Sequence, residues 1–257
     1  MQSTKIKIQN ILSVKISVVD LNTTVFQVKN NIDNLNTSYV CCVPAHSIMD
    51  CYVHPEFLPA FNNSYLNSPD GMAVVWILKL LGYKEVGRVY GPDLMNALCL
   101  VSLQTGYKHY FYGNTDAVLS DLKEKLEEKY PGIQIVGSIA PPFRELTDQE
   151  DKEICKQISS SGADILWVGL GSPKQELWMY NHQGKIDVPV MIGVGAAFDF
   201  LSGNKPQAPR WIQRSGLEWF YRFLQEPRRL WKRYLLGYPR FVVLIIIELF
   251  KKRILKQ

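Results

Sequence analysis

The stretch between His109 and Gly195 constrains the fold more than any other part of the sequence. It reads as strand, helix, strand, helix, strand, helix and strand, and strands such as ILWVGL and VMIGVG are apolar without alternation. Strands of this kind have both faces buried, as in a parallel sheet that helices cover on either side. The pattern therefore predicts an α/β fold with an open, doubly wound, mostly parallel sheet. Ligands of such sheets bind beyond the carboxyl ends of the strands.

Charge divides the chain near residue 205. Residues 205–257 contain 13 Lys and Arg against three Asp and Glu, whereas residues 1–204 contain 16 against 21. We therefore predict two parts: a globular domain over residues 1–204 and a basic, aromatic, helical appendage over residues 205–257. A mildly acidic body with a strongly basic end indicates an anionic partner, either a lipid surface or nucleic acid.

The appendage favours the lipid surface. Its most apolar run, FVVLIIIELF, contains Glu248 and is far shorter than the roughly 20 residues that span a bilayer. Arg and Lys beside Trp, Tyr and Leu suit helices that lie in the headgroup plane, and we expect Pro227 and Pro239 to break the segment into short helices. Nothing in it resembles a groove-reading motif, so nucleic acid is not expected. Its apolar side chains can also bind a second copy, which leaves a homo-oligomer open.

The N-terminal segment and the cysteines indicate a cytoplasmic protein. The first 20 residues lack a continuous apolar core and a small-residue cleavage site, so no signal peptide is predicted. Residues 5–20, KIKIQNILSVKISVVD, read as an alternating strand, and the β-type pattern continues through TTVFQVKN. The five cysteines are odd in number, show no metal-ligand spacing and are expected to be buried thiols in a reducing compartment.

The segment GLGSPKQE, residues 169–176, follows one of the apolar strands. Its Gly-x-Gly lacks the third glycine of a dinucleotide fingerprint, which disfavours a dehydrogenase. Ser172 with Gln175 fits a capping box, and Pro173 suits the first helical position. A well-capped helix is one interpretation. The other is a nucleotide site at the helix N-terminus, formed by Gly171, Lys174, Gln175 and Glu176.

Three further positions follow strands or their helices. Asp70, in a Pro-Asp-Gly turn, either shapes the turn or acts as a general base. Arg88 forms a surface salt bridge or grips a diphosphate bidentately. Gly113 and Asn114 end a strand and open a helix, which makes a second possible anion site. No Asp-x-Asp motif occurs, so the sequence predicts no metal.

Several segments together resemble the WecG/TagA/CpsF family of bacterial glycosyltransferases. They are SPDGMAVVW, RVYGPDLM, EKYPGIQIVG, ADILWVGLGSPKQELW, GVGAAFDFLSG and APRWIQRSGLEWFYRFLQEPRRLWKRYL, in the family's order over residues 39–241. The resemblance implies a Rossmann-like domain with a membrane-targeting appendage at the inner face of the plasma membrane. It implies inverting transfer of a sugar, such as N-acetylmannosamine or its uronate, from a UDP-sugar to a polyprenyl-diphosphate-linked acceptor. The products of such enzymes are teichoic acid, capsule or exopolysaccharide, and no metal or cofactor is implied.

The resemblance also assigns roles to residues. Asp70 matches the family's proposed general base, Arg88 an arginine near the diphosphate and Gln175 a glutamine near the nucleotide sugar. Cys42 stands where the family has a functional threonine, and Asn67 neighbours the base. The appendage is expected to contact the lipid diphosphate through Arg214, Arg222 and Arg228. The exchange of threonine for Cys42 is the one feature that favours an alternative, a non-catalytic nucleotide-binding accessory protein of polysaccharide assembly.

Overall fold

The computed structural model describes residues 6–254 and contains two sheets. In chain order the strands are β1 (Ile8–Ile11), β2 (Val14–Ser17), β3 (Ser38–Val43), β4 (Leu66–Pro69), β5 (Lys108–Gly113), β6 (Gln134–Ile139), β7 (Ile165–Gly169) and β8 (Val190–Gly193). The first two form an antiparallel hairpin. The other six form one sheet in the order β4-β3-β8-β7-β5-β6, in which every neighbouring pair is parallel.

Helices connect and cover these strands. In chain order they are α1 (Leu21–Asp33), α2 (Ala45–Val53), α3 (Leu58–Asn62), α4 (Met72–Leu80), α5 (Gly91–Thr105), α6 (Asp116–Lys129), α7 (Asp148–Ser160), α8 (Lys174–His182), α9 (Ala197–Leu201), α10 (Arg210–Ser215), α11 (Glu218–Gln225), α12 (Pro227–Trp231) and α13 (Tyr238–Ile254). A 3₁₀ turn spans Pro55–Phe57, and a π-helical segment spans Lys232–Gly237.

The sheet has a separate apolar core on each face. Along β7, Leu166 and Val168 point to the core that α2, α4, α7 and α8 cover, whereas Ile165 and Trp167 point to the core beneath α1, α5, α6 and α9. All four side chains are fully buried, which explains why this strand is apolar without alternation. The predicted doubly wound, parallel α/β architecture is thereby confirmed.

The prediction for TTVFQVKN was wrong, because these residues belong to the helix α1. Asp20 caps that helix by accepting a hydrogen bond from the backbone N–H of Thr23 at 2.8 Å. Val28 and Ile32, one helical turn apart, are buried against the sheet. Burial at helical spacing decides the conformation here over the β propensity of Thr and Val. Of the predicted N-terminal strand, residues 5–20, Lys5 lies outside the described part of the chain, and the rest contains the two strands β1 and β2 instead of one.

The appendage is helical, as predicted, but only one of the two prolines expected to break it, Pro227 and Pro239, separates helices. Pro227 begins α12 directly after α11 has ended, whereas the chain stays helical through Pro239. The π-helical turn immediately before α13 lies where Pro239 cannot supply a backbone N–H. The prediction that Pro239 breaks the segment was therefore wrong.

The last helix has one buried and one exposed side. Phe241 and Ile245 are buried in the core beneath α2 and α4, and Glu248 accepts a hydrogen bond from the backbone N–H of Leu12 at 3.0 Å. The opposite side exposes apolar residues, among them Val242, Val243, Ile246, Ile247 and Phe250. Across residues 6–254, none of the helices combines the length and the apolar character needed to span a membrane.

Candidate active site

A cavity of about 1130 Å³ lies at the carboxyl ends of the sheet strands. Residues at or just after the ends of five strands contribute to its wall: Cys42 from β3, Asp70 after β4, Asn114 after β5, Gly169 and Gly171 at β7, and Gly193 and Val194 at β8. The opposite wall comes from the appendage, through residues of α11, α12 and α13. The cavity is therefore enclosed between the part of the sheet where ligands are expected and the basic segment.

Asp70 is held at the end of β4 by the backbone. Its N–H donates to the carbonyl of Val43 at 3.1 Å, and the next residue, Gly71, has a φ of +89°. A side chain at that φ is strained, so glycine permits the turn that aims Asp70 into the cavity. Asp70 thus lies at the carboxyl edge of the sheet, where ligands are expected.

The carboxylate of Asp70 is part of a charged group that joins the sheet to the appendage. Arg88 Nε lies 3.8 Å from Asp70 Oδ1, and Arg88 Nη2 donates to Glu218 Oε2 of α11 at 2.5 Å. The Arg88 guanidinium also stacks 4.0 Å from the ring centroid of Tyr90. Arg88 therefore forms an ion pair in the cavity wall, and not on the surface.

Burial sets the basicity of Asp70. It raises the pKa of this carboxyl to about 6, with Arg88 opposing the shift and Glu218 adding to it. A carboxylate of this pKa is ionised at neutral pH and is a stronger base than an exposed aspartate. The site can therefore accept a proton at pH 7.

The side chain of Cys42 lies in the same cavity wall as Asp70. Its thiol is buried, and burial together with the charges of Asp70 and Glu176 raises its pKa well above the usual value. The group is consequently a neutral thiol, which is a weak hydrogen-bond donor.

Gln175 links α8 to the loop after β8. Its Nε2 donates to Glu176 Oε1 at 2.9 Å, and its Oε1 accepts from the backbone N–H of Gly195 at 3.0 Å. Both amide atoms are thus engaged, which fixes the orientation of the side chain and the position of the Gly195 loop in the cavity wall. Burial raises the pKa of Glu176 to about 7, and its Oε2 has no hydrogen-bond partner among the described residues.

The capping box predicted for Ser172 and Gln175 does not form. The cap of α8 is Pro173, which follows a cis peptide bond and provides no side-chain hydrogen bond. Ser172 Oγ instead lies 2.8 Å from Ser47 Oγ of α2. The backbone N–H of Gln175 bonds the carbonyl of Gly171 at 3.0 Å, so the helix start is satisfied by main chain.

The strand-end pair Gly113 and Asn114 has two different functions. A Cβ on Gly113 would lie 2.6 Å from the backbone carbon of Gly169, so only glycine permits the approach of β5 to β7. Asn114 has a φ of +60°, accepts from the N–H of Thr115 at 3.0 Å and donates to Asp199 Oδ1 at 3.3 Å. Asn114 lines the cavity, whereas Gly113 supports it from behind.

The structure brings seven of the sequence-predicted residues to the cavity and places six others elsewhere. Those lining it are Cys42, Asp70, Arg88, Asn114, Gly171, Gln175 and Arg222, and those outside its lining are Asn67, Gly113, Lys174, Glu176, Arg214 and Arg228.

The residues outside the lining have identifiable positions. Asn67 turns to the hairpin and donates to the carbonyls of Lys15 at 2.7 Å and Phe61 at 2.8 Å, which ties β4 to its neighbours. Lys174, Arg214 and Arg228 are exposed on the surface. Glu176 lies buried behind Gln175, so it can act on a ligand only through that side chain.

Two appendage arginines that the sequence reasoning missed line the cavity. They are Arg229 and Arg233, which join Arg222 in the wall opposite the sheet. Arg229 and Arg233 are four residues apart, the spacing of one helical face, but Arg222 lies on the separate helix α11, so no sequence spacing relates it to them. Arg228, for which contact with the lipid diphosphate was expected, is exposed and does not line the cavity.

One group of possible metal ligands lies outside the cavity. Among the described residues, Asp151, Cys155 and His182 have ligand atoms within 4.8 Å of one another. His182 Nε2 is 2.9 Å from Asp151 Oδ1, and its Nδ1 is 2.7 Å from the carbonyl of Trp178. These contacts connect α7 to α8, and none of the three side chains lines the cavity that contains Asp70.

Comparison with known proteins gives a match along nearly the whole chain. The model of the Glycosyl transferase WecG/TagA/CpsF family matches residues 9–255. That range includes the sheet, the cavity and the appendage, so the likeness extends to both walls of the site.

Curated relatives match three quarters or more of the chain. The chain is 31% identical over 193 residues to an N-acetylglucosaminyldiphosphoundecaprenol N-acetyl-beta-D-mannosaminyltransferase of Bacillus spizizenii, covering 75% of this chain and 72% of the relative. A protein of the same name from Bacillus subtilis is also 31% identical, with 73% of its length covered. The Staphylococcus aureus protein of that name is 29% identical over 231 residues, which are 87% of each chain.

Proposed function

The chain belongs to the WecG/TagA/CpsF family of glycosyltransferases, and on that basis we propose that it transfers an N-acetylhexosamine from a UDP-sugar to a polyprenyl-diphosphate-linked acceptor. The relatives are named for transfer of N-acetylmannosamine to an N-acetylglucosaminyl-diphosphoundecaprenol. The observation that carries the proposal is the position of Asp70, a partly buried carboxylate at the strand ends that faces a wall of arginines.

Asp70 acts as general base in the proposed reaction. Its carboxylate takes the proton of an acceptor hydroxyl, whose oxygen attacks the anomeric carbon of the donor sugar. The bond from that carbon to the diphosphate breaks, and UDP leaves with the electron pair. A single displacement of this kind inverts the anomeric configuration.

The arginines stabilise the charge that develops on the leaving diphosphate. Arg222 lies against the ring of Phe200, with its guanidinium carbon 5.7 Å from the centroid, and it faces the cavity together with Arg229 and Arg233. Guanidinium groups bind phosphate oxygens bidentately, and in a desolvated site such contacts are stronger than in water. Arg88 can join them when a phosphate oxygen takes the place of Glu218.

The nucleotide is proposed to bind on the side of β5 and β7. There the backbone of Gly171 is open to the cavity, because a Cβ at that position would meet no atom within 4 Å. Gln175 and Asn114 present polar side chains nearby, and the N-terminus of α8 favours an anion. No metal is assigned a part in this proposal.

The appendage is proposed to hold the protein on the inner face of the plasma membrane, where the lipid-linked acceptor is located. Its exposed apolar residues, among them Trp211, Leu235, Leu236 and Phe250, accompany an excess of basic residues. That combination favours binding in the plane of an anionic lipid surface.

The activity is tested with a panel of UDP-sugars and a short-chain N-acetylglucosaminyl-diphosphate-lipid acceptor, with the product detected by mass spectrometry. We expect turnover with at least one UDP-N-acetylhexosamine and release of UDP in equal amount. UDP binding without turnover of any donor would contradict the proposal and would favour the non-catalytic accessory role that Cys42 raised.

Membrane attachment is tested by vesicle flotation of the full chain. Replacement of the exposed pair Leu235 and Leu236 by serine is expected to weaken flotation, whereas Leu100→Ser, at an exposed apolar position on the body, is the matched control. Equal flotation of the two variants would contradict the assignment of the appendage as the membrane-binding part.

A further inference from the structure

A second cavity, of about 380 Å³, lies between α2 and the appendage. It is separate from the strand ends, and no residue of the sheet lines it. We call it the outer basic cavity, because four basic residues contribute to its wall: Arg229, Lys232, Arg233 and Arg240. One carboxylate, Asp50, lines it as well.

The cations of the outer basic cavity are poorly neutralised by the protein. Arg229 pairs with Glu226, but within residues 6–254 no carboxylate oxygen lies within 4 Å of Lys232, Arg233 or Arg240. Burial and the neighbouring arginines lower the pKa of Arg233, and Asp50 opposes this only in part. Clustered cations that lack counter-charges in the protein favour an anion between them.

The surroundings of the cavity are amphipathic. Arg240 lies 5.5 Å from the ring centroid of Tyr52, and Lys232 lies 5.6 Å from that of Trp231. Leu236, which is 60% exposed, also lines the cavity and follows the similarly exposed Leu235. Exposed apolar side chains beside a basic cavity are complementary to a phospholipid, in which the acyl chains lie next to a phosphate.

The outer basic cavity shares part of its wall with the cavity that contains Asp70. His46, Arg229, Arg233 and Tyr238 line both. An anion in the outer cavity would therefore contact the same two arginines that face the proposed diphosphate. Occupation of one cavity is expected to orient side chains of the other.

We propose that the outer basic cavity binds the phosphate of an anionic phospholipid headgroup. The inference deepens the membrane attachment proposed above and rests on it. In this arrangement Lys232 and Arg240 hold the phosphate, and Leu235 and Leu236 enter the acyl region. Arg229 and Arg233 are then oriented by the lipid at the wall they share with the active cavity.

The test uses the full chain and two double variants of equal charge. Lys232→Ala/Arg240→Ala removes cations of the outer cavity, and Arg214→Ala/Arg228→Ala removes two exposed arginines that line neither cavity. Binding is measured to vesicles of phosphatidylcholine alone and of phosphatidylcholine with phosphatidylglycerol. We expect the first variant to weaken binding to the anionic vesicles at least about tenfold, and the control to weaken it less than about threefold. Equal losses would show diffuse charge attraction and would overturn the site.

A soluble arm separates this inference from membrane attachment and identifies the source of the phosphate. Short-chain phosphatidylglycerol, monomeric in solution, is titrated into the full chain, and inorganic phosphate is tested as competitor. Saturable binding that Lys232→Ala/Arg240→Ala abolishes supports the site, even if vesicles are not bound and membrane attachment fails. Vesicle binding without any binding of the soluble lipid overturns the site while attachment stands. Competition by inorganic phosphate at equal concentration would assign the cavity to free phosphate and overturn the lipid.

Discussion

The two walls of the cavity that contains Asp70 differ in their secondary structure and in the side chains that they present. The sheet wall consists of strand ends with glycines, neutral polar groups and the carboxylate of Asp70, and each position is fixed by the register of a parallel ladder. The appendage wall supplies cations on helices, and it is joined to the sheet side by the Arg88–Glu218 pair. In the proposed reaction, the body therefore supplies the base and the appendage supplies most of the charge compensation.

The largest effect is expected at Asp70, the carboxylate that is proposed to accept the proton. Asp70→Asn keeps the size of the side chain but removes the base, and we expect kcat to fall about 10³-fold. Asp199→Asn changes another carboxylate of the same cavity and is the matched control, with an expected loss below about tenfold. Initial rates of UDP release measure both, and similar losses in the two variants would contradict a special function of Asp70.

The appendage wall is tested next. Arg222→Ala removes a half-buried guanidinium from the cavity, and we expect a loss of about 10²-fold in kcat/KM, the usual effect of removing one preorganised charge. Arg228→Ala removes the same charge from the surface and is expected to leave the rate within about threefold. If Arg228→Ala were the more damaging variant, the assignment of the cavity-facing arginines would be wrong.

The buried carboxyl of Glu176, behind Gln175, is expected to make the free energy of unfolding depend on pH. The pKa of Glu176 is about 7 in the folded protein, above its ordinary value of 4.5, so between these values the native state holds a proton that the unfolded state has released. Stability from this group therefore falls as pH rises from about 4.5 to 7.

Glu176→Gln removes that pH dependence while it keeps an acceptor for Gln175. We expect the difference in free energy of unfolding between the variant and the parent to be about 2 kcal/mol more favourable to the variant at pH 8 than at pH 5, as measured by urea unfolding. Glu128→Gln, at a side chain that is 72% exposed, provides the control and is expected to show no such change. A parallel response of the two variants would mean that Glu176 is ionised in the folded protein at both pH values.

The smallest predicted effect concerns the pair that joins the walls. Glu218 raises the pKa of Asp70, so Glu218→Gln is expected to move the acidic limb of the kcat/KM profile to lower pH. Glu226→Gln, on the same appendage but paired with Arg229 and Lys205, is the comparison variant. A limb that moves to higher pH in Glu218→Gln would contradict the assigned electrostatics.

The two walls also differ in how far the sequence predicts them. Positions after apolar strands, such as Asp70 and Asn114, could be located because parallel strands place their carboxyl ends at one edge. The resemblance added the identity of the ligand class. The β-type pattern of TTVFQVKN gave a wrong prediction, because burial against the sheet at helical spacing outweighs the local β propensity of these residues.

The appendage was harder to predict because its contacts are non-local. Which arginine faces the cavity depends on how α11 and α12 are rotated against the body: Arg229, although 54% exposed, lines the cavity, whereas Arg228 does not. Likewise, no sequence spacing relates Arg88 to Glu218, which are 130 residues apart. Pairings of this kind arise from tertiary packing, whereas strand ends follow from local pattern.

The central claim, that Asp70 is the base of a glycosyl transfer, is tested most directly by the pH dependence of kcat/KM in the parent and in Asp70→Asn. We predict that the parent rate rises with pH to a plateau with a midpoint near the pKa of Asp70, about 6, and that the residual rate of the variant lacks this rise. A profile in Asp70→Asn with the same limb as the parent would contradict the claim, because another group would then be the titrating base.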